Sequence, residues 1–217
     1  MIRISPTLIS VLLIMLLALA CRPDSGPDDY QSQELIADAA IPLTLPLAEG
    51  EERFGLGLFY EGETSEEVII DDLMSHFYIY EETFSMIGFE GDRIEGVQSD
   101  RITHRGGGWW GGGVHWDEPR DLSAWDELHL SLKTSEMSFS VLELAMNNSD
   151  TEQTKISLND YGFVTDGEWH DLNIPLSALS DRGLDLSQVS APLVLIGGRG
   201  EIGDTLYIDA VFLSRIR

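Results

Sequence analysis

The chain has 217 residues, 38 of them Asp or Glu against 13 Lys or Arg, for a formal net charge of −25. A field of that sign repels phosphate backbones and anionic headgroups, which excludes nucleic acid as a partner and disfavours direct binding to lipid. With one cysteine in the sequence, no disulfide can form within a monomer.

In chain order, Met1, Ile2 and Arg3 give a short positive segment, and Leu8 to Ala20 an apolar run of about a dozen residues. Spanning a bilayer takes roughly 20 apolar residues, and this run stops at the small-residue pattern Ala18-Leu19-Ala20 followed by Cys21. It predicts a signal peptide over residues 1–20. The stretch resembles the bacterial lipobox, with Ala18 where leucine is usual. That resemblance implies a covalent lipid at Cys21, with acyl chains such as palmitate, and a place in the bacterial cell envelope where the anchor alone touches membrane. Arg22, in place of a retaining aspartate, favours the outer membrane.

Residues 21–52 carry Arg22-Pro23-Asp24-Ser25-Gly26-Pro27, Pro42, Pro46 and Glu49 to Glu52, the composition of a tether. Residues 53–217 are enough for one sizeable core. Leu128 to Lys133 alternates apolar with polar residues, and in Leu206 to Phe212 the even positions form a continuous apolar face. Further strands are predicted at Leu56 to Tyr60, Phe77 to Tyr80, Phe84 to Glu90, Gly96 to Thr103, Phe139 to Met146, Thr154 to Leu158, Trp169 to Ile174 and Leu193 to Gly197. One helical turn is predicted at Pro175 to Leu179. Short strands separated by Gly, Asn and Asp indicate an all-β fold, an antiparallel β-sandwich or jelly roll.

Three segments resemble the galactose-binding-like β-sandwiches found as carbohydrate-binding modules and as accessory domains of glycoside hydrolases. They are Pro119 to Leu128, Asp166-Gly167-Glu168-Trp169 through Leu176, and Gly203-Asp204-Thr205-Leu206-Tyr207-Ile208-Asp209 through Leu213. Together with Gly112-Gly113-Val114-His115-Trp116 they are most similar to the C-terminal domain of ExoP-type exo-glucanases. The resemblance implies the fold strongly and the function weakly, because the same sandwich also serves protein assembly. It also implies a structural calcium between the start of the domain and its last strand, with Asp209 and Glu61, or Glu63, as candidate ligands.

The most unusual stretch is Gly106 to Trp116, which sets Trp109, Trp110, Trp116 and His115 among six glycines. Flat rings pack against the C–H faces of sugars and polar neighbours bind hydroxyls, so these residues, with Tyr161 and Asn147, are the candidate glycan contacts. The alternative is that the rings belong to the core, the role expected of Trp125 and Trp169. No carboxylate pair, histidine motif or nucleophile elbow stands out for catalysis. The leading expectation is a membrane-anchored, non-catalytic carbohydrate-binding lipoprotein. An interaction or assembly lipoprotein with a protein partner in an envelope complex is the alternative, and a jelly-roll enzyme acting on glycosides the lesser one.

Overall fold

The computed structural model describes residues 43–71, 75–148 and 153–217. The predicted signal peptide, Cys21 and most of the tether lie outside the described residues. Twelve strands follow in chain order: β1 (Glu51–Leu56), β2 (Val68–Asp71), β3 (Ser75–Ile79), β4 (Phe84–Phe89), β5 (Ser99–His104), β6 (Trp110–Trp116), β7 (Glu127–Lys133), β8 (Leu142–Asn148), β9 (Thr154–Ser157), β10 (Trp169–Pro175), β11 (Val189–Gly197) and β12 (Thr205–Ile216). They form two sheets, as the strand pattern predicted.

The larger sheet runs β10-β7-β12-β1-β2, with β5 pairing β12 and β4 pairing β5. The smaller runs β3-β6-β11-β8-β9. Every ladder is antiparallel except β1 with β2. Strand alternation sends one face of each sheet into a shared core. Leu128, Leu130 and Leu132 on β7 meet Leu142, Leu144 and Met146 on β8 there, with Leu172 and Ile174 from β10.

On β12 the even alternation holds only through Leu206 and Ile208. The pairing with β7 then slips between Asp209 and Phe212, and Ala210 takes a φ of 52°. Such a bulge inserts one residue and exchanges the faces. Beyond it Val211 and Leu213 enter the core, while Ala210 and Phe212 pack with Tyr60 in a separate outer cluster. The expected continuous even face of β12 is therefore corrected.

The sandwich also begins upstream of the expected boundary at residue 53. Leu43 bridges Gly96, the Arg53 guanidinium donates to the carbonyls of Leu45 and Pro46, and β1 starts at Glu51. Residues 57–60 form a turn rather than a strand, Phe139 lies in a 3-10 turn, and the helical turn is Ser177–Ser180. Among the described residues no helix is long and apolar enough to cross a membrane.

Candidate functional site: the outer face of the five-stranded sheet

Strand β6 lies between β3 and β11, so its alternation decides what each face of the smaller sheet presents. Trp110, Val114 and Trp116 point inward and Gly111, Gly113 and His115 outward. Trp110 is 0 % exposed, edge-on to Phe84 and Phe139 at 5.5 and 5.3 Å between ring centres. Trp116 is 5 % exposed, packs on Phe54, and donates its indole N–H to Asp71 at 2.5 Å. Arg120 pairs with the same carboxylate at 2.7 Å and lies over the Trp116 ring. The expectation that Trp110 and Trp116 contact ligand is therefore corrected: both have even numbers on a strand whose even side faces the core.

Trp109, one residue before the strand, remains 38 % exposed. Two outward glycines clear room beside it. A Cβ on Gly111 would lie 3.0 Å from Trp109 Cζ3 and 3.2 Å from Tyr80 Cδ2; one on Gly113 would lie 2.5 Å from the Leu193 carbonyl oxygen. Without those side chains, rings from the neighbouring strand settle over β6. Tyr78, 48 % exposed and opposite Gly113, stands edge-on to His115 at 5.3 Å. The hydroxyl of Tyr80 lies 2.7 Å from His115 Nε2. Burial raises the Tyr80 phenol and lowers the His115 imidazole relative to their ordinary pKa values, so near neutral pH the pair is an uncharged hydrogen bond.

Farther across the same face come Val194 and Ile196 on β11 and Glu143, Ala145 and Asn147 on β8. Lys155 on β9 lies 3.6 Å from Glu143. The face thus has an aromatic half over β3 and β6 and a polar edge over β8 and β9. Trp109, His115 and Asn147, three of the predicted contacts, border it. Tyr161 packs against the main core. Trp125 serves as a packing residue, as expected: it lies under Arg215 and against Phe54. Trp169, also expected in the core, is corrected: it stands half-buried on the side of β10 opposite Leu172 and Ile174 and donates to Asp92 at 2.9 Å. Tyr78 and Tyr80 were missed because their segment reads as an ordinary short strand. The available signal was that they fall opposite a glycine-rich neighbour, which only the pairing reveals.

A cavity of about 550 Å³ lies instead on the outer face of the seven-stranded sheet, beside His129, Ser131, Asp171, Asn173 and Phe212. Its rings are already covered: His129 stacks on Phe212 at 4.5 Å, and Arg53 lies over Phe212 at 4.5 Å. Its polar groups bond one another, Ser131 to Asp171 at 2.6 Å and His129 to Ser214 at 2.7 Å. Volume alone therefore does not make it the better site.

The predicted calcium ligands bind the same backbone segment. Glu61 accepts from the backbone N–H of Val97 at 2.6 Å, and Asp209 from that of Ile94 at 2.6 Å, so both carboxylates hold the segment 94–98. Two acids that sequence reasoning missed join them: Glu95 is 0 % and Asp100 4 % exposed. Burial and mutual repulsion push the carboxyls of Glu95 and Asp100 up to about 7 and that of Asp209 up to about 6. Glu95 Oε2 and Asp100 Oδ1 are buried with no hydrogen-bond partner. The donor set is all oxygen, which suits a hard cation such as calcium. Among the described residues, however, no group of three or more His, Cys, Asp or Glu side chains is gathered closely enough to hold a metal ion as it stands.

The fold and its aromatic sheet face do not assign a function by themselves; the comparisons supply the class, that of the carbohydrate-binding modules. The model of the carbohydrate binding domain 30 family matches residues 62–215, and the chain belongs to that family, which supports a carbohydrate-binding role. The family 30 carbohydrate-binding module of the cellulosomal cellulase Cel9D-Cel44B of Clostridium thermocellum is similar in structure. Its TM-score is 0.52 at 16% identity, covering 64% of this chain and 90% of that one. A second family 30 module scores 0.51 at 16% identity, covering 81% and 84%. The family 11 module from Clostridium thermocellum, in complex with a β-1,3-1,4-mixed-linked tetrasaccharide, scores 0.50 at 14% identity, covering 77% and 96%. At these identities the likenesses show the fold. A search of curated proteins finds no match.

Proposed function

We propose that the outer face of the five-stranded sheet binds an oligo- or polysaccharide, with Tyr78, Tyr80, Trp109 and His115 as its aromatic half and Glu143, Asn147 and Lys155 as hydrogen-bonding partners. The observation that carries this reading is the pair of outward glycines, Gly111 and Gly113, which leave the rings uncovered on one side of a sandwich of the carbohydrate binding domain 30 family. Sugar C–H faces pack on such rings, and a few hydroxyl contacts suffice for millimolar to micromolar affinity, roughly 4 to 8 kcal/mol. The module is non-catalytic in this reading. The likeness of its sequence segments to the C-terminal domain of ExoP-type exo-glucanases supports a role beside glycan-processing enzymes.

Affinity electrophoresis in a panel of polysaccharides, including mixed-linkage β-1,3-1,4-glucan, tests the face. Tyr78→Ala is expected to lose about tenfold or more in affinity, about 1.4 kcal/mol, while melting as the native protein does. Retention unchanged by Tyr78→Ala and by Trp109→Ala would remove the proposed site, and a protein co-purifying in place of glycan would favour the assembly reading.

The same proposal includes export and anchoring. Cys21 carries the lipid, the tether leads to the sandwich, and the outer membrane holds the anchor. Several acyl chains, each methylene contributing about 0.8 kcal/mol, would make attachment effectively permanent. Cys21→Ser is expected to move the protein from the membrane to the soluble envelope fraction and to abolish palmitate labelling. Membrane retention of the serine variant contradicts the anchor. Calcium completes the proposal, with Glu61 and Asp209 as its ligands; binding would draw these two and their acidic neighbours Glu95 and Asp100 closer together than they stand, neutralise the buried charge and stiffen the join between segment 94–98 and β12.

A further inference from the structure

We propose that Glu81 and Glu82 are positioning residues for the aromatic face: their left-handed turn fixes the Tyr80 ring over Gly111 and so sets the site before a glycan arrives. The inference rests on the reading of that face as the glycan site. Glu81 and Glu82 have φ of 49° and 53°, two successive residues in a region that side chains with a Cβ rarely occupy. Both are exposed. Neither buries apolar surface, so core packing does not account for the conformation. Strained backbone of this kind concentrates at ligand clamps and active sites, where the surrounding structure overdetermines it.

The surroundings here act on Tyr80. Strand β3 ends at Ile79 in the smaller sheet and β4 begins at Phe84 in the larger, so the turn carries the chain from one sheet to the other. Thr83 closes it: its backbone N–H and its hydroxyl donate to the Tyr80 carbonyl, at 3.1 and 2.9 Å. The same hydroxyl accepts from the N–H of Gly111 at 3.2 Å, and the Thr83 carbonyl accepts from Arg105 at 3.0 Å. The Tyr80 backbone is thereby tied to β6 at the glycine under its own ring, and His115 holds the hydroxyl at the ring's other end. Tyr80 is held at both ends, and the turn sets its ring over Gly111.

Restricting a contact residue in its bound position lowers the ordering cost of binding. Replacing both residues with glycine frees the turn while keeping the crossover, so Glu81→Gly with Glu82→Gly is expected to melt at or above the native temperature. That variant is expected to bind mixed-linkage β-1,3-1,4-glucan, or whichever polymer of the panel is retained, about tenfold more weakly. The His115 ring, followed by NMR titration, is expected to move toward its ordinary pKa as its Tyr80 partner loosens. Glu81→Asn with Glu82→Asn, residues that tolerate the left-handed region, is expected to restore native affinity.

Native affinity in the double-glycine variant, with Tyr78→Ala still impaired, overturns the positioning role and leaves the site standing. An affinity loss matched by a fall in melting temperature, or no rescue by asparagine, overturns it as well. Absence of binding to every polymer by the native protein removes the site reading and this inference with it.

Discussion

With calcium chelated, the domain is expected to melt at a lower temperature at pH 8 than at pH 5.5, and saturating calcium is expected to close that gap. Glu95 and Asp100 are buried acids whose carboxyls burial pushes up to about 7, against ordinary values near 4. Asp209 is pushed up to about 6. The folded state therefore keeps protons that the unfolded chain has already released. The stability lost in consequence begins to go above about pH 4 and is fully gone above about pH 7. A carboxyl raised from 4.5 to about 7 accounts for about 3 kcal/mol over that window.

His115 and His129 act in the opposite direction. Burial lowers both, so the unfolded chain takes up their protons first and stability falls as pH drops below about 6.5. The variant Glu95→Gln with Asp100→Asn separates the contributions, since it leaves the histidines intact. It is expected to be more stable than the native protein at pH 8 in chelator and to show no calcium effect. Binding at a hundred times Kd would stabilise the native domain by about 2.7 kcal/mol. A native melting temperature indifferent to both pH and calcium would show that these acids neither share protons nor hold an ion.

Trp110→Ala is expected to destabilise the fold without acting on the glycan directly. The ring is wholly enclosed among Phe84, Phe139 and the backbone of Gly197, where its removal leaves a cavity with no side chain to fill it. Truncating a buried tryptophan costs about 3 to 5 kcal/mol, a large share of a typical domain's stability. Urea unfolding measures the shift in midpoint. Native stability together with lost glycan retention would mean that Trp110 faces outward and that the parity assigned to β6 is wrong. Trp109→Ala, by contrast, removes a partly exposed ring and is expected to affect retention more than stability.

Much of the fold was legible before any coordinates. Leu128-His129-Leu130-Ser131-Leu132 can bury one face only as a strand, and the segments around Trp125, Trp169 and Asp209 take the places their resemblance implied. The site was legible in location and not in membership. Gly106 to Trp116 does border the aromatic face, yet two of its three tryptophans turn inward, and the rings that replace them, Tyr78 and Tyr80, come from an unremarkable strand and the turn that follows it. Asp209 and Glu61 were readable as holding one segment; Glu95 and Asp100 were not, because Glu95 lies in a loop without periodicity and Asp100 takes the buried side of β5, shared with Ile102, where an apolar residue is expected.

The sequence by itself determined the alternation, the turn positions and the charge, since these depend on neighbours along the chain. Tertiary structure decided which side of each strand is the inside. On β6, Gly111, Gly112 and Gly113 put small residues on both faces, so Val114, His115 and Trp116 alone mark the parity locally and nothing beside Trp110 does. That parity is set by Phe84 and Phe139, which supply the apolar partners on one side, and by β3, which lays Tyr78 over the cleared glycine on the other. On β12 the bulge at Ala210 reverses the faces midway. Both outcomes depend on pairing between segments far apart in sequence.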